Sequence, residues 1–172
     1  MLIRKANHAD LQAILDIYND AIINTTAVYS YKPHTLVMRQ QWFDDKIEND
    51  IPVIVADIEG IVVGFTSYGP FRMWPAYKYS VEHSVYVHKD FRNLGIARKL
   101  LVELIEAVRS KKVHTLIAGI DGDNAASIHL HKQLGFEDAG HFREVGYKFG
   151  KWLNLRFLQL ILNNDLVPTE EG

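Results

Sequence analysis

Leu11, Ile14, Leu15 and Tyr18 recur at the three- and four-residue spacing of one helix face. Asn7 and Asp10 stand just ahead, residue types suited to a helix N-terminus, and Thr25 and Thr26 close the segment. A short strand over 2–4 precedes it. A second helix is predicted after Pro33, with Thr35 as its cap and Trp42, Phe43 and Ile47 on its buried side. The spacing then switches. Residues 51–58 and 61–68 are apolar runs split by Glu59 and Gly60, the pattern of a β-hairpin. Gly69 and Pro70 end it, and 71–79 reads as an aromatic loop. Residues 80–87, rich in Val and aromatics, read as a strand, and 90–95 as a turn. Ile96, Leu100, Leu101, Leu104, Ile105 and Val108 mark a long amphipathic helix. A strand over 113–120 and a helix over 124–134 follow, with Gly135 where a helix C-terminal glycine belongs. Two further strands, 136–142 and 151–162, complete the order β-α-α-β-β-β-α-β-α-β-β.

That order predicts a single α+β domain over residues 1–163, with a mixed, mostly antiparallel sheet flanked by helices. Residues 164–172 read as a frayed, disordered tail. The strand–helix–strand passage from Val87 to Val113 is expected to be a right-handed crossover between parallel strands. Most of Trp152, Leu155, Phe157 and Leu160, in the last strand, are expected in the core. No repeat or low-complexity tract interrupts the 172 residues.

Composition narrows the chemistry. Lys and Arg number 19 against 21 Asp and Glu, a net charge of −2, without the basic excess of a nucleic-acid-binding module. With no cysteine, the chain has no disulfide, no thiolate metal site and no Cys nucleophile. The N-terminus lacks the pattern of a signal peptide, and no apolar run reaches the roughly 18 residues of a membrane span. A cytoplasmic protein without nucleic-acid or membrane partners is the expectation.

The informative stretch is EHSVYVHKDFRNLGIARKLL, from Glu82 to Leu101. A strand passes through a short turn into a helix. At Gly95 the missing Cβ lets a ligand approach the backbone. The first helical turn presents N–H groups and a positive partial charge, the combination that holds phosphate or pyrophosphate, and Arg92, Arg98 and Lys99 add charge. Neither G-x-x-x-x-G-K-[ST] nor G-x-G-x-x-G occurs, so a P-loop and a dinucleotide fold lack support. Glu82, at the start of this strand, could take a proton from an amine, directly or through a water. Alternation turns His83 away from the Glu82 face and Ser84 back to it. His83 could assist proton transfer or pack. His129 and His131, two apart on a helix, point about 200° apart and cannot share an ion, and no HExxH occurs, so no metal is expected.

The segment Arg92, Gly95, Ala97 fits [R/Q]-x-x-G-x-[G/A], and NAASIHLHKQLGF, 124–136, fits N-x-x-[AS]-x-x-L-[YH]-x-x-x-G-[FY]. Both resemble the GCN5-related N-acetyltransferase (GNAT) superfamily, and the order of elements matches over nearly the whole chain. The stretches VEHSVYVHKDFRNLGIA, HLHKQLGF and VGYKFGKWLNLRFLQL resemble more narrowly its phosphinothricin and methionine sulfone–sulfoximine N-acetyltransferase branch. The resemblance implies a GNAT-type fold with a central, splayed parallel strand pair, and acetyl-CoA as acyl-donor co-substrate in the cleft. It implies that Val85, Tyr86 and Val87 offer backbone groups to the thioester and pantetheine. The pyrophosphate loop would comprise Arg92, Asn93, Leu94, Gly95, Ile96, Ala97 and Arg98, with further contacts from Asn124 and Ser127. Glu82 is implied as general base. His131 stands where many relatives have a Tyr assigned to protonating the leaving thiolate; it could donate that proton or only orient CoA. Arg72, Met73, Trp74, Glu82, His83 and Ser84 are implied to form an amino-acid pocket, Arg72 suiting a carboxylate. Tyr29 and Tyr31 could line that pocket or pack in the core, and Tyr86 suits packing. The implied activity is direct acetyl transfer to the amine of a small amino acid or analogue in a homodimer. Another acceptor (aminoglycoside, polyamine or protein N-terminus) and a non-catalytic CoA-binding sensor are the alternatives.

Overall fold

Glu59 and Gly60 both take left-handed backbone, φ +54° and +85°, as a two-residue hairpin turn requires. The Asp57 carboxylate accepts the Gly60 N–H at 2.7 Å. This turn joins β2 (Ile54–Ile58) to β3 (Ile61–Pro70). The computed structural model describes residues 1–162 and 165–170. They form two compact units, Met1–Ser67 with Ser84–Leu104, and Tyr68–His83 with the described residues from Ile105 onward.

In the first unit, β1 (Leu2–Lys5) pairs antiparallel with β2, and β2 antiparallel with β3. The carboxylate of Asp10 accepts the Asn7 N–H at 2.8 Å, and the Asn7 side chain accepts from Ala9, a capping box that starts the first helical segment. Helix α1 (Leu11–Asn24) follows, then α2 (Leu36–Glu48), where Thr35 Oγ1 accepts the Met38 N–H at 3.3 Å. Leu11, Ile14 and Ile17 of α1, Phe43 of α2, and Val55 and Phe65 of the hairpin bury together. Arg4 clasps both Asp10, at 2.7 Å, and Asp57, at 2.8 Å, tying β1 to the start of α1 and to β2. Helix α3 (Ile96–Arg109) buries all six apolar residues of its predicted stripe. Gly64 of β3 makes room for it: a Cβ there would stand 3.1 Å from Leu100 and 3.3 Å from Ile96.

The second unit holds the start of β4 (Ser80–Val87), β5 (Thr115–Asp121), α4 (Ala125–Gln133), β6 (Glu137–Lys148) and β7 (Lys151–Ile161). Its strands hydrogen-bond in the order β4-β5-β7-β6. The parallel ladder matches Ser80 to His83 with Thr115 to Ala118, as the crossover predicts, and β5–β7 and β7–β6 are antiparallel. β6 slips register twice, between Asp138 and Gly140 and between Phe142 and Gly146.

Helices and strands thus follow the predicted order. Four details differ. Ile47 is 55% exposed rather than core, because the buried side of α2 runs through Arg39 and Phe43. The hairpin strand begins at Ile54, since residues 51–53 form the connection out of α2; the Ile51 N–H bonds back to Lys46. β6 continues to Lys148, where Phe149 and Gly150, both left-handed, turn it into β7. In β7 the buried residues are Leu153 and Leu158, on opposite faces, while Trp152 is 62% exposed and Leu155, Phe157 and Leu160 are half-buried. Of the tail expected to be frayed, residues 164, 171 and 172 lie outside the described residues, as does 163. Thr169 donates its N–H to the Tyr79 hydroxyl at 3.0 Å.

Candidate active site

Glu82 is half-buried on β4. Burial pushes its carboxyl above the ordinary Glu range, and the nearby positive charge of Arg72 pulls it partly back. Both effects matter for a base. A raised value strengthens proton capture, and the Arg favours the ionised form that accepts the proton. Arg72 is exposed and lies over the Phe71 ring at 4.5 Å. Phe71 anchors the loop, donating its N–H to the Ser80 carbonyl at 3.2 Å and meeting Tyr77 and Phe157 edge-on. Met73 and Trp74 of the same loop project outward, 87% and 74% exposed. Within the second unit the charge of Arg72 thus acts on Glu82, and the rings of Phe71, Tyr77 and Phe157 cluster beside the Arg72 loop.

His83 turns to the opposite face, as alternation requires. Its ring stacks on His131 at 5.1 Å and 16° and meets the edge of Phe136. Burial drives its imidazole down to about 3, so it is neutral. Of the two readings open for His83, this environment fits packing. His131 is equally buried, and its Nδ1 lies 2.7 Å from the Ser127 carbonyl. A carbonyl only accepts, so Nδ1 carries a proton. Burial lowers this imidazole too, and the bond to Ser127 partly offsets it. That bond pins the ring within α4. Ser127 also donates its N–H to Asn124 Oδ1 at 3.0 Å, so Asn124 is the helix N-cap.

The phosphate-loop residues lie in the first unit. Gly95 takes φ +73° and Asn93 φ +64°, so the turn needs a left-handed residue where the motif places its glycine. A Cβ on Gly95 would meet nothing within 4 Å, which leaves open space at the start of α3. Arg92, Asn93, Leu94 and Gly95 are exposed, as are Arg98 and Lys99, while Ile96 is buried and Ala97 half-buried. Arg92 pairs with Asp20 of α1 at 3.4 Å. These residues supply the donors, charge and room that a pyrophosphate takes. Val85, Tyr86 and Val87 form the end of β4, where the His88 N–H bonds the Val63 carbonyl. Thr66 Oγ1 donates to the Ser84 carbonyl at 2.7 Å. Tyr86 packs edge-on against Tyr18 and tilted on Phe65, the packing expected of it. Tyr29 and Tyr31 are both exposed, which removes the core reading for them.

Arg39 carried no role in the sequence, yet it is 2% exposed. Its guanidinium lies 4.1 Å from the Tyr18 ring centre and 4.5 Å from Trp42, and its Nη2 is 3.3 Å from His34 Nδ1. The signal was available: the Trp42–Phe43 stripe, continued one turn back, lands on Arg39. Among the described residues no group of three or more His, Asp or Glu is arranged for a metal ion.

The family profile described as "Acetyltransferase (GNAT) domain" matches residues 3–155. A protein of Pseudomonas aeruginosa named L-methionine sulfoximine/L-methionine sulfone acetyltransferase is 48% identical over 162 residues, 94% of either chain. A Salmonella typhimurium structure, described as a putative acetyltransferase with its cofactor acetyl-CoA, superposes with TM-score 0.96 at 41% identity and 98% coverage of both chains. A Brucella melitensis structure titled ribosomal-protein-alanine N-acetyltransferase has TM-score 0.93 at 52% identity, over 94% of this chain and all of that one.

Proposed function

We propose a specific reaction for this chain, which belongs to the GNAT acetyltransferase family: transfer of an acetyl group from acetyl-CoA to the amine of a small amino acid or analogue, of the methionine sulfoximine, methionine sulfone or phosphinothricin type. The observation that carries the acceptor is the positive charge of Arg72 acting on the half-buried Glu82 carboxyl. An α-amino acid presents an ammonium and a carboxylate on adjacent atoms. A carboxylate base beside a guanidinium complements both.

In this reading Arg72 holds the acceptor's carboxylate and Glu82 takes one proton from its ammonium. The freed amine attacks the thioester carbonyl, a C–N bond forms, and the C–S bond breaks to release the CoA thiol. Acetyl-CoA supplies the activated acyl group. The loop from Arg92 to Arg98 and the start of α3 hold its pyrophosphate, and the end of β4, Val85 to Val87, offers backbone groups to its thioester and pantetheine arm. With no cysteine in the chain, direct transfer is the simplest route. His131 orients α4 and the CoA contacts of Asn124 and Ser127, a role its bond to the Ser127 carbonyl supports. The reading places the enzyme in the cytoplasm with its acetyl-CoA. It also takes the working form as a homodimer, to which the exposed Phe142, Val145 and Trp152 of β6 and β7 lend support.

A second acceptor, a protein N-terminus, takes support from the Brucella melitensis neighbour, named a ribosomal-protein-alanine N-acetyltransferase. Release of CoA thiol across methionine sulfoximine, methionine sulfone, phosphinothricin, a polyamine, an aminoglycoside and an alanine-leading peptide separates the acceptors. Turnover confined to the amino-acid analogues, and reduced roughly 100- to 10,000-fold in Glu82→Gln, is the expected result. Turnover on the peptide alone overturns the acceptor. Acetyl-CoA binding with no turnover on any amine, unchanged in Glu82→Gln, points to a sensor.

A further inference from the structure

Glu82 and Ile117 are partners in the parallel ladder between β4 and β5. Gly119 is two residues further along β5, on the same face as Ile117. A diagonal neighbour of this kind is within reach of a long side chain. The Glu82 side chain takes that diagonal. A Cβ built on Gly119 would stand 2.6 Å from Glu82 Oε1 and 3.7 Å from its carboxyl carbon. The next nearest atom is Cε1 of Phe157, at 3.4 Å. Phe157 is the antiparallel partner of Gly119 on β7, and its ring meets Phe71, the anchor of the Arg72 loop. The carboxylate therefore rests against the space a Gly119 side chain would fill, with the Phe157 ring edge beside it.

We infer that Gly119 is a positioning residue for acetyl transfer: its missing side chain is the floor on which the Glu82 carboxylate sits at the height the acceptor amine needs. The inference rests on the reading of Glu82 as base. Nothing else in the geometry calls for a glycine. Gly119 does not take a left-handed φ, so an alanine there is unstrained in backbone, and the Phe157 contact would be ordinary. The atom that must yield is the end of a flexible side chain. Folding tolerates that shift and catalysis does not, because a misplacement of about 1 Å in a reacting group can cost about 100-fold in rate.

The test compares Gly119→Ala, Glu82→Gln, Glu82→Asp and the double variant Gly119→Ala/Glu82→Asp, in full-length protein on the most active amine. The expected result for Gly119→Ala is an unchanged melting temperature, unchanged acetyl-CoA affinity and a fall in kcat of about 100-fold. The acidic limb of its kcat profile moves to lower pH, because a carboxylate pushed off its floor is better hydrated. In the Glu82→Asp background the side chain is one methylene shorter and no longer reaches over Gly119. There Gly119→Ala costs less than a tenth of its effect in the wild type, a coupling that a merely structural role would not produce. A Gly119→Ala enzyme with normal kcat and an unmoved limb, while Glu82→Gln is inactive, overturns the role of Gly119 and leaves the base intact. Full activity of Glu82→Gln overturns the base itself.

Discussion

Replacing His83 with phenylalanine is expected to flatten the acid side of the protein's stability curve. The wild-type ring is 7% exposed, stacked on His131 at 5.1 Å and edge-on to Phe136, and neither ring nitrogen has a hydrogen-bond partner. Burial, with His131 beside it, lowers its imidazole from 6.5 to about 3. The unfolded chain therefore binds this proton below pH 6.5 and the folded chain does not. The stability tied to the neutral ring is complete above pH 6.5 and drains away as the pH falls toward 3. Each pH unit in that window is worth about 1.4 kcal/mol, so at pH 4.5 the loss from His83 is about 3 kcal/mol. Phenylalanine keeps the planar stack and has no proton to bind. At pH 8 the two proteins are expected to agree within about 1 kcal/mol, since an aromatic of similar shape also removes the unpartnered nitrogens. Urea unfolding followed by circular dichroism at pH 8, 7, 6, 5 and 4.5 reads the difference. With a slope of about 2 kcal/mol/M, the midpoints diverge by about 1.5 M at pH 4.5. His131 titrates in both proteins, so the gap isolates His83. Parallel curves from pH 8 to 4.5 would show that the folded ring already accepts a proton, and the reasoning fails.

Two other outcomes follow from charged groups. Arg4→Met leaves Asp10, whose side chain is 8% exposed, without its guanidinium; the expected loss is about 2 kcal/mol at pH 7, discounted because Arg4 itself is about a quarter exposed. Arg4 holds the Asp10 carboxyl below its ordinary value, so this stability is present above about pH 4 and lost as the pH falls through the lower folded value. Thermal unfolding of the pair should converge below pH 4, and an unaltered melting temperature at pH 7 sinks the idea. Arg72→Ala removes the charge that lowers Glu82, so the acidic limb of kcat should move up in pH while KM for the amino acid rises. A limb that stays still, with KM unchanged, separates Arg72 from both the base and the acceptor.

How much the sequence revealed depended on whether the signal was local. The α3 stripe, the Glu59–Gly60 turn and the left-handed Gly95 are readable because each is set within a few residues. Glu82 stood out through its place on the strand before the phosphate turn. Its floor did not, because no local pattern links Glu82 to Gly119. Only the strand register, with Glu82 opposite Ile117, brings them together. The same limit hid Arg39. A buried guanidinium breaks the apolar rule for a helix face, and the rings of Tyr18 and Trp42 that compensate it come from different helices. The buried residues of β7 were hidden for a related reason: apolar residues occur at 152, 153, 155, 157 and 158, on both faces of the strand, and Leu153 and Leu158 are buried on opposite faces, so alternation alone could not choose.

The two register slips of β6 bear on how the protein behaves when crowded. β6 is twelve residues long and ends the strand order, so it would present a row of unpaired backbone groups, a template onto which another chain could add a strand. The slips break that row at Asp138–Gly140 and at Phe142–Gly146, and Asn154 Oδ1 takes up the Glu144 N–H inside the second at 2.9 Å. An incoming strand would find no continuous ladder to extend. The irregularity is a guard against edge-to-edge aggregation, and straightening it by deleting residues around Glu144 would trade a kinked edge for an adhesive one.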